Sequence, residues 1–133
     1  IRDWMMKSCE QLGVEPKIAA TLNGIVFEVR QGYKSKDSKR QNADIANATT
    51  AYTKAYLPSA IILSAQIDSD IMVRYRLQKW MILTGRLGAN DPFTSTYDFT
   101  RMVVGYDLAA FFSKHAPTLR TELDKVLRNL LAP

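Results

Sequence analysis

The 133-residue sequence is poor in the residues that build several common kinds of site. Its one cysteine, Cys9, excludes an internal disulfide and a cysteine-rich zinc site. Its one histidine, His115, argues against a Ser-His-Asp triad and against histidine-rich metal centres. No apolar run approaches the ~18–20 residues that span a bilayer, and no charged-then-apolar leader resembles a signal peptide. We therefore expect no membrane segment and a reducing, cytoplasmic setting.

What the sequence does contain is a hydrophobic fraction of 47%, which suits one globular domain over residues 1–133. The chain begins at Ile1 rather than Met, so a piece of a longer protein is equally consistent with it. The formal net charge is +5. Residues 30–40 carry five cations against Asp37, which leaves +4 of that charge in this one segment. A local basic patch is typical of a polyanion-binding surface, and its alternative is a solvated charged loop.

The first half of the chain predicts a hairpin followed by a helix and a strand. Residues 2–12 have helical spacing, and Asn23-Gly24 stands between two β-prone runs, 17–22 and 25–33, which is a strong hairpin signal. A helix should start at Asp37 or Ser38 and run to about Tyr56, with Pro58 closing it. Residues 60–67 are almost continuously apolar and predict a buried strand.

The second half predicts helices. They cover residues 70–84, residues 96–114 and a last helix that begins at Pro117. The fold class is therefore α/β, with a small mixed sheet built on the hairpin and a β-β-α-β core and with several flanking helices. We expect Asp98 and Arg101, one helical turn apart, to form an ordinary ion pair.

The hairpin strand 25–33 places an acid beside a cation. Because strand side chains alternate, Glu28 and Arg30 share the face opposite the core. With Asn23-Gly24 as a two-residue turn, the residue that faces Glu28 across the hairpin is Ala19, at a Cβ separation of ~4.5–5.5 Å.

An E-x-K-like pair on the second strand of a hairpin, followed by a helix and a buried strand, resembles the core of the PD-(D/E)xK nucleases. The stretch "FEVRQGYKSKDSKRQNADI" resembles the type II restriction endonucleases of that superfamily in particular. The resemblance covers about residues 15–67 and leaves residues 68–133 as a helical remainder.

The resemblance implies a Mg²⁺-dependent DNA endonuclease that hydrolyses phosphodiester bonds. In that family an Asp on the first strand and an Asp or Glu on the second bind Mg²⁺, and a lysine stabilises charge or helps to activate water. Carried over by position, Glu28 is the second carboxylate and Arg30 takes the place of the lysine. Arg30 cannot act as a base, so Lys34 is the candidate for that role if the strand bends at Gly32.

The first carboxylate of the motif is missing, because Ala19 stands where the Asp is expected. We hypothesise that the chain is an inactivated variant at this position. The resemblance further implies a homodimer on palindromic DNA, with residues 70–84 or the last helix as the dimer face. The residues expected to contact DNA lie in and beside the basic segment: Arg30, Gln31, Lys34, Lys36, Lys39, Arg40, Gln41 and Asn42.

Two alternatives remain open. The chain could be a non-catalytic nucleic-acid-binding or assembly module that uses residues 30–40 to grip the phosphate backbone. Glu28 could also be an ordinary strand acid paired with Arg30 or Lys17, which contributes only ~0–1 kcal/mol to stability when exposed.

Overall fold

The computed structural model describes residues 1–32 and 38–131, with the side chains of residues 38–41 left out. Six α-helices and three β-strands follow one another along these ranges, and a turn of π-helix, Thr100–Val104, continues the fifth helix. The elements in chain order are α1 (Arg2–Gln11), α2 (Pro16–Thr21), β1 (Gly24–Arg30), α3 (Ser38–Thr53), β2 (Tyr56–Ile62), α4 (Ser69–Leu77), β3 (Met81–Leu83), α5 (Thr96–Phe99) and α6 (Leu108–Leu131).

The strands form one sheet in the order β1-β2-β3, and both neighbouring pairs are parallel. The class is α/β, as predicted, but the mixed sheet was wrong. In the register of the first pair Gly24 lies beside Tyr56, Glu28 beside Ala60 and Arg30 beside Ile62. Because parallel strands need a crossover, α3 connects β1 to β2 and α4 connects β2 to β3.

The predicted hairpin is wrong because residues 17–21 are helical rather than extended. Pro16 occupies the first turn of α2, where its fixed φ favours a helix and its missing N–H is no loss. The helix buries Ala19 against Met5, Cys9 and neighbouring apolar residues. Asn23-Gly24 therefore connects a helix to β1 instead of joining two strands.

Five other elements differ in their boundaries from the predictions. Helix α3 ends at Thr53, since Ala55 has a left-handed φ of 59°. Strand β2 therefore starts four residues before the predicted 60–67. Residues 70–84 divide into α4 and β3, and residues 96–114 are interrupted at Gly105, whose φ is 83°. Helix α6 runs through Pro117 instead of starting there.

The core occupies both faces of the sheet. On one face Ala60, Ile62 and Ile82 pack with residues of α3 and α4 and with Trp80. On the other face Met81 and Leu83 pack with Trp4 of α1 and Phe99 of α5. Strand β1 lies at an edge of the sheet, so its side chains are half-buried or exposed. Among the helices of the described ranges, even the 24-residue α6 lacks an apolar stretch able to cross a bilayer.

Candidate functional site

The carboxyl end of β1 brings together an acid, a cation and a second acid that comes from α3. Glu28 and Arg30 project from the same face of β1, and the Arg30 guanidinium reaches both Glu28 and Asp44. A single nitrogen, Arg30 Nη2, donates to Oε1 of Glu28 and to Oδ1 of Asp44. In open parallel α/β sheets, ligands bind outside the carboxyl ends of the strands, and this cluster lies at that end.

Asp44 is the most deeply buried member of the cluster, with 1% of its surface exposed. Its other carboxylate oxygen, Oδ2, accepts a hydrogen bond from the hydroxyl of Tyr75 on α4. Tyr75 is itself buried and packs edge-on against Trp80 at 4.8 Å between ring centroids. A buried carboxylate is tolerated only when it is paired and hydrogen-bonded. Arg30 and Tyr75 supply those partners from two different elements.

Glu28 is the accessible member of the cluster. About a third of its side chain is exposed, 31%, against 14% for Arg30. It lines a groove of about 510 Å³ between β1 and α3, together with Asn47 and Lys54 among others. It also lines a second groove of about 490 Å³ formed by residues 28–32. A solute at the carboxyl end of β1 could therefore reach Glu28 without opening the core.

Asp44 was not among the predicted site residues, because the apolar spacing of residues 45–55 suggests a buried stripe one position further along the chain. That spacing gives Ile45, Ala48, Tyr52 and Ala55, whereas the buried residues among the described side chains of α3 are Asp44, Ala48 and Ala51. With the correct helical phase, an acid on an otherwise apolar stripe would have been the signal.

Ala19 does not face Glu28. It is buried in α2 beneath α1, and the residue beside Glu28 in the sheet is Ala60 of β2. The hypothesis that Ala19 replaces a metal-binding Asp depended on the antiparallel hairpin, and the parallel pairing of β1 with β2 removes its basis. Among the residues that the structure describes, the second carboxylate near Glu28 is Asp44, which comes from the crossover helix rather than from a neighbouring strand.

The residues expected to contact DNA are placed only in part. Arg30 is turned toward the two carboxylates, whereas Gln31 and Asn42 are exposed. Lys34 and Lys36 lie outside the described residues. The backbone of Lys39, Arg40 and Gln41 belongs to the first turns of α3, and their side chains also lie outside the description.

The carboxylates of Glu28 and Asp44 can be compared with the ligands that Mg²⁺ requires. Mg²⁺ is commonly held by one or two carboxylates together with phosphate oxygens and water. Glu28 and Asp44 fit that set, since their oxygens converge on one point, but the Arg30 nitrogen takes that point in the structure. Within residues 1–32 and 38–131, no group of three or more His, Cys, Asp or Glu side chains is arranged to hold a metal ion.

The other polar residues of note have structural roles. Burial raises the pKa of the Cys9 thiol and of the Tyr52 phenol, so neither is activated for chemistry, and the Tyr52 hydroxyl donates to the backbone oxygen of Lys79 at 2.7 Å. Asp98 and Arg101 form the predicted ion pair at 3.0 Å. The hydrogen bond from Arg101 lowers the pKa of the Asp98 carboxyl.

No family model, curated protein or solved structure matches this chain. The fold and the site therefore define its class by themselves. In its described ranges the chain is an α/β protein with a parallel three-stranded sheet, and an acid–arginine–acid cluster lies at the carboxyl end of the edge strand β1.

Proposed function

We propose that the chain is a DNA endonuclease domain of the restriction type, which hydrolyses phosphodiester bonds at the carboxyl end of β1. The observation that carries the proposal is the convergence of Glu28, Arg30 and Asp44 from β1 and α3. In the sequence, Glu28 precedes and Asp44 follows residues 30–40, the segment that holds most of the net positive charge. The cytoplasmic setting and a homodimer on two-fold symmetric DNA belong to the same proposal.

The proposed roles follow from the chemistry of the three side chains. The Arg30 guanidinium keeps its charge at any ordinary pH, so it binds a phosphate oxygen and stabilises the charge that develops there. Glu28 and Asp44 would hold Mg²⁺, which when bound supplies charge stabilisation and a more acidic water. Arg30 cannot accept a proton, so Lys34 stays the candidate base among the residues outside the description.

A second candidate function is a non-catalytic nucleic-acid-binding module. It is favoured by the engagement of both carboxylates by Arg30, because such a closed cluster can stabilise the fold without chemistry. In this case the cations of residues 30–40 would neutralise phosphates only. If about four phosphates are neutralised, log K for DNA falls with log salt at a slope of roughly −3.6.

Cleavage of supercoiled plasmid DNA with Mg²⁺ or Mn²⁺ separates the two candidates. We compare the chain with its Glu28→Gln variant and with Glu10→Gln, a matched change of an exposed acid on α1. An endonuclease should lose about 100-fold or more of its cleavage rate in Glu28→Gln and keep it in Glu10→Gln. Salt-dependent DNA binding without cutting by any form would support the binding module. No DNA binding at low salt would refute both.

A further inference from the structure

Helix α6 is an amphipathic helix whose apolar side faces solvent. None of its 24 residues is buried, although its apolar residues would normally be covered. Leu119 is 59% exposed and Leu130 is 75% exposed. A contiguous apolar surface of this kind marks an interaction site. The exposed large apolar side chains of α6 are Phe111, Phe112, Leu119, Leu123, Val126, Leu127, Leu130 and Leu131.

The spacing along this face indicates a second helix as the covering partner. Six apolar positions between residues 112 and 130 alternate by four and three residues, which is the 3.5-residue period of a coiled-coil seam. The opposite side carries charges of both signs, including Asp124, Lys125 and Arg128, and Lys125 pairs with Glu122 at 2.8 Å. A helix that lies on an anionic bilayer instead concentrates cations on its polar side. The seam consists of Phe112, Ala116, Leu119, Leu123, Val126 and Leu130.

The seam is complementary to itself. In an antiparallel pair of α6 helices centred on residue 121, Leu119 lies opposite Leu123 of the other copy. The same register sets Ala116 opposite Val126 and Phe112 opposite Leu130. All six seam residues then have an apolar partner. A two-fold interface requires this kind of match, since the same surface patch must serve both chains.

The surface area of the chain is large enough for such an interface. The accessible surface is 8801 Å² for 15.0 kDa. A compact monomer of that mass exposes only about 7,000 Å². The excess of about 1,800 Å² falls within the ~1,000–2,500 Å² that each subunit of an obligate homodimer buries.

We propose that the seam of α6 is a homodimer interface that packs against the α6 seam of a second copy of this chain. The proposal rests on the helix alone and stands whether or not the chain cleaves DNA. Sedimentation of the full chain over a concentration series tests the proposed dimer. This experiment measures association alone, so its result is independent of the plasmid cleavage assay.

Two glutamates at the centre of the seam should separate the copies, since each would become a buried and unpaired charge. We expect Leu119→Glu/Leu123→Glu to raise the dimer dissociation constant about 100-fold or more. The matched control is Thr118→Glu/Thr121→Glu, which adds the same charge on the outward side of α6. It should change the constant less than about threefold. Leu119→Ala/Leu123→Ala, which preserves helix propensity, should weaken association in the same direction.

Three outcomes would overturn the proposal. The first is a wild-type chain that stays monomeric at every concentration tested. The second is equal weakening by the seam variant and by the outward control, which would indicate net charge rather than the seam. The third is a monomeric chain that binds vesicles of anionic lipid through α6 and loses that binding in Leu119→Glu/Leu123→Glu, which would make a bilayer the occupant of the seam.

Discussion

Replacing Asp44 by alanine should destabilise the protein more than any change of an exposed acid. The substitution removes a carboxylate that is 1% exposed and that accepts hydrogen bonds from Arg30 and Tyr75. It leaves the Arg30 guanidinium with Glu28 as its remaining carboxylate partner in the cluster, and it leaves the buried Tyr75 hydroxyl without its Asp44 acceptor. Breaking a buried ion pair by deleting one partner costs about 3–5 kcal/mol.

That free energy corresponds to a large change in melting temperature. A chain of 133 residues has an unfolding entropy near 280 cal/mol/K at its midpoint, from about 2.1 cal/mol/K per residue. A loss of about 3–5 kcal/mol therefore lowers Tm by about 11–18 °C. Tyr75→Phe removes only the hydroxyl that donates to Asp44, so it should cost less, about 1–3 kcal/mol.

Urea titration and thermal melts followed by circular dichroism measure both changes. Glu10→Ala, at an exposed site on α1, is the control and should stay within about 0.5 kcal/mol of the parent chain. If Asp44→Ala cost less than about 1 kcal/mol, Asp44 would behave as an exposed acid. The hydrogen bonds of buried Asp44 with Arg30 and Tyr75 would then be refuted, and with them the geometric support for the proposed function.

Two further predictions concern the loops after β3 and the helix that follows them. Gly85→Ala should cost about 3 kcal/mol in a urea titration, because a methyl group there would overlap the carbonyl of Leu63. Gly88→Ala, at a φ of 70° with open space around it, should cost about 1 kcal/mol. Equal costs for the two variants would contradict the close packing of Gly85. The lowered pKa of Asp98 gives stability that is present above its unfolded pKa of about 3.9 and is lost as pH falls through its lower folded pKa. Arg101→Gln should reduce this acid-dependent loss between pH 5 and pH 2, so melts that follow the same pH dependence with and without Arg101 would count against the pair.

The sequence predicted the elements that depend on local pattern. The helix of residues 2–12 is confirmed as α1, the strand of residues 25–33 as β1 and the helix from Asp37 or Ser38 as α3, each with shifted ends. The strand predicted at 17–22 failed because so short a segment of mixed apolar and polar residues is compatible with both periodicities, and burial decides between them. Ala19 and Leu22 pack in one buried cluster with Met5 and Cys9 of α1.

The start of β2 could not be predicted because Pro58 was interpreted as a helix stop. The amide of Leu63 donates to the carbonyl of Arg30, so the odd-numbered amides of β2 point toward β1 and the even-numbered ones point away from it. On that other side, β3 pairs with β2 only from Ser59 onward. The N–H that Pro58 lacks would point to the side of β2 on which β3 does not pair with this residue. The proline is therefore tolerated inside the sheet.

Only the part of the candidate site that lies on β1 could be predicted from the sequence. Alternation along β1 correctly placed Glu28 beside Arg30, since residues two apart share a face. Asp44 lies 14 residues from Arg30, and its approach depends on the packing of α3 across the sheet. An error of one residue in the helical phase of α3 was enough for the prediction to miss Asp44.

The position of Arg30 between two carboxylates links the two candidate functions physically. In the free chain the guanidinium compensates Glu28 and buried Asp44, so it stabilises the fold. A DNA phosphate competes with those carboxylates for the same guanidinium. If Arg30 turned to the phosphate, two carboxylates would face each other with their shared cation withdrawn, which favours binding of another cation between them. Under the proposed function, phosphate and divalent cation should therefore bind cooperatively, each raising the affinity for the other by the same factor. In the binding module the cluster would stay closed, and DNA affinity would not depend on divalent cations beyond ordinary screening.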